Sequence, residues 1–149
     1  MAGEKILLAD DEPRILRLLG EFLKDQGYQV QAAKDGNQAL AALQGEEFTL
    51  ALLDLKLPGL SGLELLSHIK AHSPETEVIL FTGHAGVESA VQALRLGAYD
   101  YLIKSDILLA DLQAVIDRAL ERRRLSQTNR RLLENLSQAQ AELAQRRAA

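Results

Sequence analysis

The sequence predicts an α/β fold, a doubly wound parallel sheet with helices on both faces. Short continuous apolar runs of strand length recur through the first 120 residues, and amphipathic stretches of helical period lie between them. Each parallel crossover needs a covering helix, so five successive strand–helix alternations imply a parallel sheet. The 149 residues suffice for one compact domain of roughly 100–150 residues plus an appendage.

Taken in order, the runs Lys5–Ala9 (KILLA), Leu50–Leu53 (LALL) and residues 78–81 (VILF) are continuously apolar and read as strands buried on both faces. Residues 28–33 (YQVQAA) and 99–103 (YDYLI) are weaker and alternate, as strands nearer a sheet edge do. The first helix is a stripe of Ile15, Leu18, Leu19, Phe22 and Leu23, with Pro13 near its start and Gly27 past its end. Residues 37–43, 62–69 and 87–96 repeat the pattern, punctuated by Gly36, Gly45 and Gly97. A last stripe of Leu109, Leu112, Val115, Ile116, Ala119 and Leu120 packs a fifth helix on the sheet.

Composition narrows the chemistry. Hydrophobic residues at 47% and charged residues at 26% suit a globular chain and exclude a disordered one. No apolar run approaches the ~20 residues of a bilayer crossing and no secretory leader is recognisable, so a cytoplasmic chain is expected. With no cysteine and only His68, His72 and His84, a bound metal is expected to take oxygen ligands. The net charge of -4 is uneven: residues 1–120 hold 10 Lys and Arg against 18 Asp and Glu, whereas residues 121–149 hold 7 Arg against 3 Glu. The later segment has no Gly, Pro, aromatic, Val or Ile, which sets an organisational boundary near residues 119–124.

Ligands of a parallel sheet sit beyond the carboxyl ends of its strands. Strand one ends in Asp10-Asp11-Glu12, strand three in Asp54, strand four in Thr82-Gly83 and strand five in Lys104-Ser105. Carboxylates from two strands are hard ligands suited to Mg²⁺, which also pairs with phosphate. A transferring phosphoryl group needs its oxygens neutralised, for which Mg²⁺, the Lys104 ammonium and the Thr82 hydroxyl are suited. Asp54 is left as the nucleophile. The plainer alternatives are that Asp10, Asp11 and Glu12 cap a helix, that Asp54 is a turn residue, that Tyr101 only packs, and that His84 is a solvated loop histidine.

These strand ends, with Leu57-Pro58-Gly59-Leu60-Ser61-Gly62 after Asp54 and Gly97-Ala98-Tyr99-Asp100-Tyr101-Leu102 before Lys104, resemble the receiver domain of two-component response regulators, the CheY-like family, over residues 3–120. The resemblance implies a flavodoxin-like sheet in the order 2-1-3-4-5. It implies that a histidine kinase or phosphotransfer protein phosphorylates Asp54, with Mg²⁺ held by Asp10, Asp11, Asp54 and the Lys56 backbone carbonyl. Thr82 and Lys104 then bind the phosphate, Tyr101 follows Thr82, and the surface of the fourth helix, fifth strand and fifth helix changes. The domain is thus expected to be a signalling phosphoacceptor and not an enzyme.

Two positions depart from the family pattern. Ser105 stands where the family usually has a Pro joined by a cis bond; a cis bond before Ser costs ~3–4 kcal/mol against ~0.5–1 before Pro, so a trans bond is expected. Lys56 lies two residues after Asp54, where side chains influence the water that removes phosphate, and with His84 it is read as modulating the site. A cation at 56 implies slow phosphate loss.

No Gly or Pro interrupts the chain after residue 120, so the fifth helix is expected to continue through 121–149 as a linker. Placing Arg122, Asn129, Leu136 and Leu143 at heptad position a, and Leu125, Leu132, Ala139 and Arg146 at d, gives a partial coiled-coil seam. A homodimer through this helix, or through the surface of the fourth helix, fifth strand and fifth helix, is the corresponding partner expectation. The alternatives are a frayed single helix and, with less support, a basic nucleic-acid arm; no helix-turn-helix or zinc signature accompanies the arginines, and no direct nucleic-acid binding is expected. A long helix after this motif is similar to receivers that precede an output domain, as in NtrC-type regulators or hybrid sensors. Two rival functions remain: a receiver-shaped interaction module independent of phosphate, and a haloacid-dehalogenase-type phosphohydrolase. The latter requires an acid two residues after the nucleophile, where this chain has Lys56.

Overall fold

The computed structural model describes residues 4–83, 86–106 and 109–148. The elements alternate as β1 (Lys5–Ala9), α1 (Pro13–Asp25), β2 (Gln29–Ala33), α2 (Gly36–Gly45), β3 (Leu50–Leu53), α3 (Gly62–His72), β4 (Glu77–Thr82), α4 (Val87–Arg95), β5 (Asp100–Ile103), a 3₁₀ turn (Lys104–Asp106) and α5 (Leu109–Ala148). The strands form one five-stranded sheet in the order β2-β1-β3-β4-β5, and all four pairings are parallel.

Burial follows the pleat. Leu7, Ala9, Ala51, Leu53, Val78 and Leu80 face one core with Leu65, Leu66 and Ile69 of α3. Ile6, Leu8, Leu50, Leu52, Ile79 and Phe81 face a second core with Leu19 and Leu23 of α1 and with Leu112, Val115 and Ile116 of α5. Alternate residues thus serve opposite faces, which is why the central strands read as unbroken apolar runs. Each of the leucine, isoleucine, valine and phenylalanine side chains among them contributes about 1.5–3 kcal/mol by leaving water. The alternating strands, β2 and β5, occupy the two edges.

Local chemistry sets the helix starts. Asp35 caps α2 by accepting the Gln38 N–H at 2.7 Å. Ser61 caps α3 by accepting the Glu64 N–H at 3.2 Å. Pro13 occupies the first turn of α1, where its missing N–H costs nothing. The compositional change around residues 119–124 falls inside α5, which passes through it without a break. Leu109 is half-exposed, so the part of α5 that packs on the sheet begins at Leu112.

Candidate functional site

The strand ends form the site through two similar turns. Asp10 continues the β1 ladder by donating its N–H to the Ala33 carbonyl at 3.0 Å, and Asp54 continues β3 by donating to the Ala9 carbonyl at 2.9 Å. Each carboxylate then accepts an N–H two residues on: Asp10 Oδ1 from Glu12 at 2.9 Å, and Asp54 Oδ1 from Lys56 at 3.4 Å. Such Asx turns hold both side chains over the carboxyl end of the sheet. Gly62 permits the turn after Asp54, since a Cβ there would lie 2.3 Å from the Asp54 carbonyl oxygen.

Asp10 and Asp54 are buried, at 2% and 4% exposure, while Asp11 is exposed. One carboxylate oxygen from each of the three lies within 4.8 Å of the others. The Lys104 ammonium bridges the buried pair, 2.6 Å from Asp10 Oδ2 and 3.1 Å from Asp54 Oδ2, and approaches Glu12 Oε1 at 3.5 Å. Burial pushes the Asp10 carboxyl above its usual range, because the Lys104 hydrogen bond and the Glu12 N–H offset only part of the desolvation. Burial pulls Lys104 down, but its hydrogen bond to Asp10 and the two facing carboxylates outweigh that and leave it raised. The directions agree physically: the Lys104 ammonium gains from two facing carboxylates, whereas burial costs the Asp10 carboxylate more than one shared ammonium returns.

Thr82 is fully buried at the carboxyl end of β4, opposite Ile103 of β5. Tyr101 is half-buried against the first core, and its hydroxyl lies 3.1 Å from Ser89 Oγ of α4. Ser89, which also donates to the Gly86 carbonyl at 3.1 Å, was not recognisable from the sequence pattern. The Lys56 side chain is exposed. His84 lies outside the described residues. His68 and His72 stack on α3 with centroids 4.2 Å apart, and His72 Nδ1 donates to the His68 carbonyl. No peptide bond is cis among the described residues, so Lys104–Ser105 is trans.

Asp10, Asp11, Asp54 and Lys104 therefore meet at one rim, with Thr82 at the end of the adjacent strand. Three hard carboxylates suit a divalent cation such as Mg²⁺. No described helix is long and apolar enough to cross a membrane.

The family described as "Response regulator receiver domain" matches residues 6–117. The chain is 43% identical over 130 residues to the nitrogen assimilation regulatory protein NtrX of Azorhizobium caulinodans, covering 85% of this chain and 28% of that protein. The NtrX crystal structure from Brucella abortus superposes with a TM-score of 0.81 at 40% identity, covering 89% of this chain and 30% of that one. A CheY-like receiver domain protein from Methanospirillum hungatei superposes at 0.79 with 34% identity, covering 83% and 98%. The chain spans under a third of the length of the curated relatives it matches. With its parallel 2-1-3-4-5 sheet and the acidic rim above it, the chain belongs to the response regulator receiver domain family.

Proposed function

We propose that this receiver domain accepts a phosphoryl group on Asp54 from the phosphohistidine of a histidine kinase or phosphotransfer protein. The observation that carries the reading is the meeting of Asp10, Asp11 and Asp54 oxygens within 4.8 Å at a rim where Lys104 already contacts two of those carboxylates. Asp10, Asp11, Asp54 and the Lys56 backbone carbonyl are the proposed Mg²⁺ ligands. When bound, Mg²⁺ supplies neutralisation for the attacking carboxylate and the incoming phosphoryl oxygens. An Asp54 oxygen forms the new bond to phosphorus as the phosphorus–nitrogen bond of the donor breaks. Lys104 leaves part of its contact with Asp10 to hold a phosphoryl oxygen, and Thr82 donates its hydroxyl to another. Such a contact exists only in the phosphorylated state, which is the differential interaction a population shift needs. Tyr101 and Ser89 then respond, altering the α4-β5-α5 surface.

The region from 121 onward is proposed as a helical linker that pairs with a second copy through Leu125, Leu132, Leu136 and Leu143, all exposed in the single chain. The output is proposed to be transcriptional regulation, in keeping with the longer relative AlgB of Pseudomonas aeruginosa, an alginate biosynthesis transcriptional regulatory protein, acting in the cytoplasm without direct nucleic-acid contact by this segment. The test is incubation with Mg²⁺ and a small acyl phosphate, followed by intact mass measurement. A single-phosphate gain in wild type but not in Asp54→Asn supports the reading; no gain in either favours the phosphate-independent module.

A further inference from the structure

At the foot of the sheet, opposite the acidic rim, Glu77 begins β4 with a carboxylate that is 4% exposed. Arg122 of α5 grips both of its oxygens: Nε donates to Oε2 at 2.5 Å and Nη2 to Oε1 at 2.8 Å. The same guanidinium lies over the Tyr99 ring, 4.8 Å from its centroid. Lys70 reaches Glu77 Oε1 at 3.6 Å from α3 and also donates to the Thr76 carbonyl at 2.8 Å. Its stem runs beneath the α4–β5 turn, where Gly97 has φ of +106° and a Cβ would meet Lys70 Cγ at 3.3 Å. Glu77 therefore gathers α3, the α4–β5 turn and the first residues of α5 beyond the core at one buried charge.

The two strands joined here are those that carry the proposed switch residues. β4 runs from Glu77 to Thr82, and Tyr99 immediately precedes β5, which carries Tyr101. Tyr99 donates its N–H to Val78 at 2.7 Å, and the strands stay paired from Ile79↔Asp100 to Thr82↔Ile103. A shift at the rim thus has a continuous hydrogen-bonded path to the foot. What reads it there must have different contacts in two orientations. A bidentate fork meets this condition, since both bonds hold only while the guanidinium and carboxylate planes keep their alignment. Further cations continue the attachment: Arg124 pairs with Glu4 at 2.7 Å, and Arg130 contacts Glu75.

We propose that Arg122 is a positioning residue that couples the Thr82–Tyr101 end of β4 and β5 to the direction of α5 beyond Leu120, through Glu77 and Tyr99. The proposal rests on the phosphoacceptor reading. It makes the foot of the sheet a second output of the switch beside the α4-β5-α5 surface.

Hydrogen–deuterium exchange of peptides spanning residues 118–130, with and without Mg²⁺ and beryllium fluoride as a phosphate mimic, tests it in the full chain. Wild type is expected to change its exchange rate in these peptides at least threefold on adding the mimic. Arg122→Ala is expected to take phosphate on Asp54 with the wild-type mass gain and to lose that response, and Arg122→Lys, which keeps charge but not the fork, is expected not to restore it. The double variant Glu77→Gln/Arg122→Gln removes both charges of the fork while Lys70 keeps its bond to the Thr76 carbonyl, and it is expected to lose the response as well, which separates coupling from a folding defect. An equal response in the phosphorylated variants, or none in phosphorylated wild type, overturns this inference alone. Failure of wild type to gain phosphate overturns the phosphoacceptor reading and the inference with it.

Discussion

Lys104 Nζ lies 2.6 Å from Asp10 Oδ2, the shorter of its contacts to the two buried acids. Lys104→Ala leaves two carboxylates facing each other in a low-dielectric rim with no ammonium between them. The expected cost is about 2–4 kcal/mol of stability, read as a lower urea midpoint. Added Mg²⁺ is expected to raise the midpoint of the variant more than that of wild type, because the folded rim binds the cation more tightly without a competing ammonium and tighter binding to the folded chain alone stabilises it more. Equal shifts in the two proteins count against the rim as a cation site.

Asp11 separates chemistry from folding. Its exposed carboxylate has little packing to lose, so Asp11→Asn is expected to stay within about 0.5 kcal/mol of wild type. The same variant is expected to lose most Mg²⁺-dependent mass gain from an acyl phosphate. Unchanged labelling removes Asp11 from the proposed ligand set.

Gly62→Ala places a methyl group where the Asp54 carbonyl oxygen is 2.3 Å away. Overpacking of this kind costs about 1–3 kcal/mol, and here the displaced atoms belong to the proposed phosphoacceptor. Thermal melting and labelling are therefore expected to fall together, unlike in Asp11→Asn.

Lys56→Ala removes an exposed cation two residues after Asp54. An exposed charge contributes about 0.3–1 kcal/mol, so phosphate loss is expected to accelerate roughly twofold to fivefold. Following the phosphorylated mass with time after removing the donor checks this. A wild-type rate in the variant refutes the shielding role.

The exposed leucines of α5 give a separable test. Leu132→Glu and Leu136→Glu alter residues that are 60% and 56% exposed, so chemical unfolding of the sheet is expected to stay within about 0.5 kcal/mol of wild type. Sedimentation is expected to change from dimer to monomer. A wild type that remains monomeric at several hundred micromolar removes the pairing.

The central strands were legible because burial on both faces writes itself as an unbroken apolar run; β1 and β3 have the expected bounds. β4 extends one residue beyond its apolar run at each end, to Glu77 and Thr82. A polar residue reads as a strand end only when its partner is unknown, and the partner of Glu77 lies 45 residues away in α5. The meeting of Asp10, Asp11, Asp54 and Lys104 was legible because parallel strands bring their carboxyl ends to one rim. Ser89 was not, since its contact with Tyr101 depends on how α4 rests against β5.

Residues 131–147 of α5 are exposed along their whole length. A helix of this kind rises about 1.5 Å per residue, so the part beyond Arg130, which contacts Glu75, reaches roughly 27 Å, and a tilt of about 5° at its root sweeps the tip through about 2 Å. The tail is a lever rooted on the arginines from Arg122 to Arg130, turning a small rotation at the sheet into a displacement longer than a covalent bond at the far end.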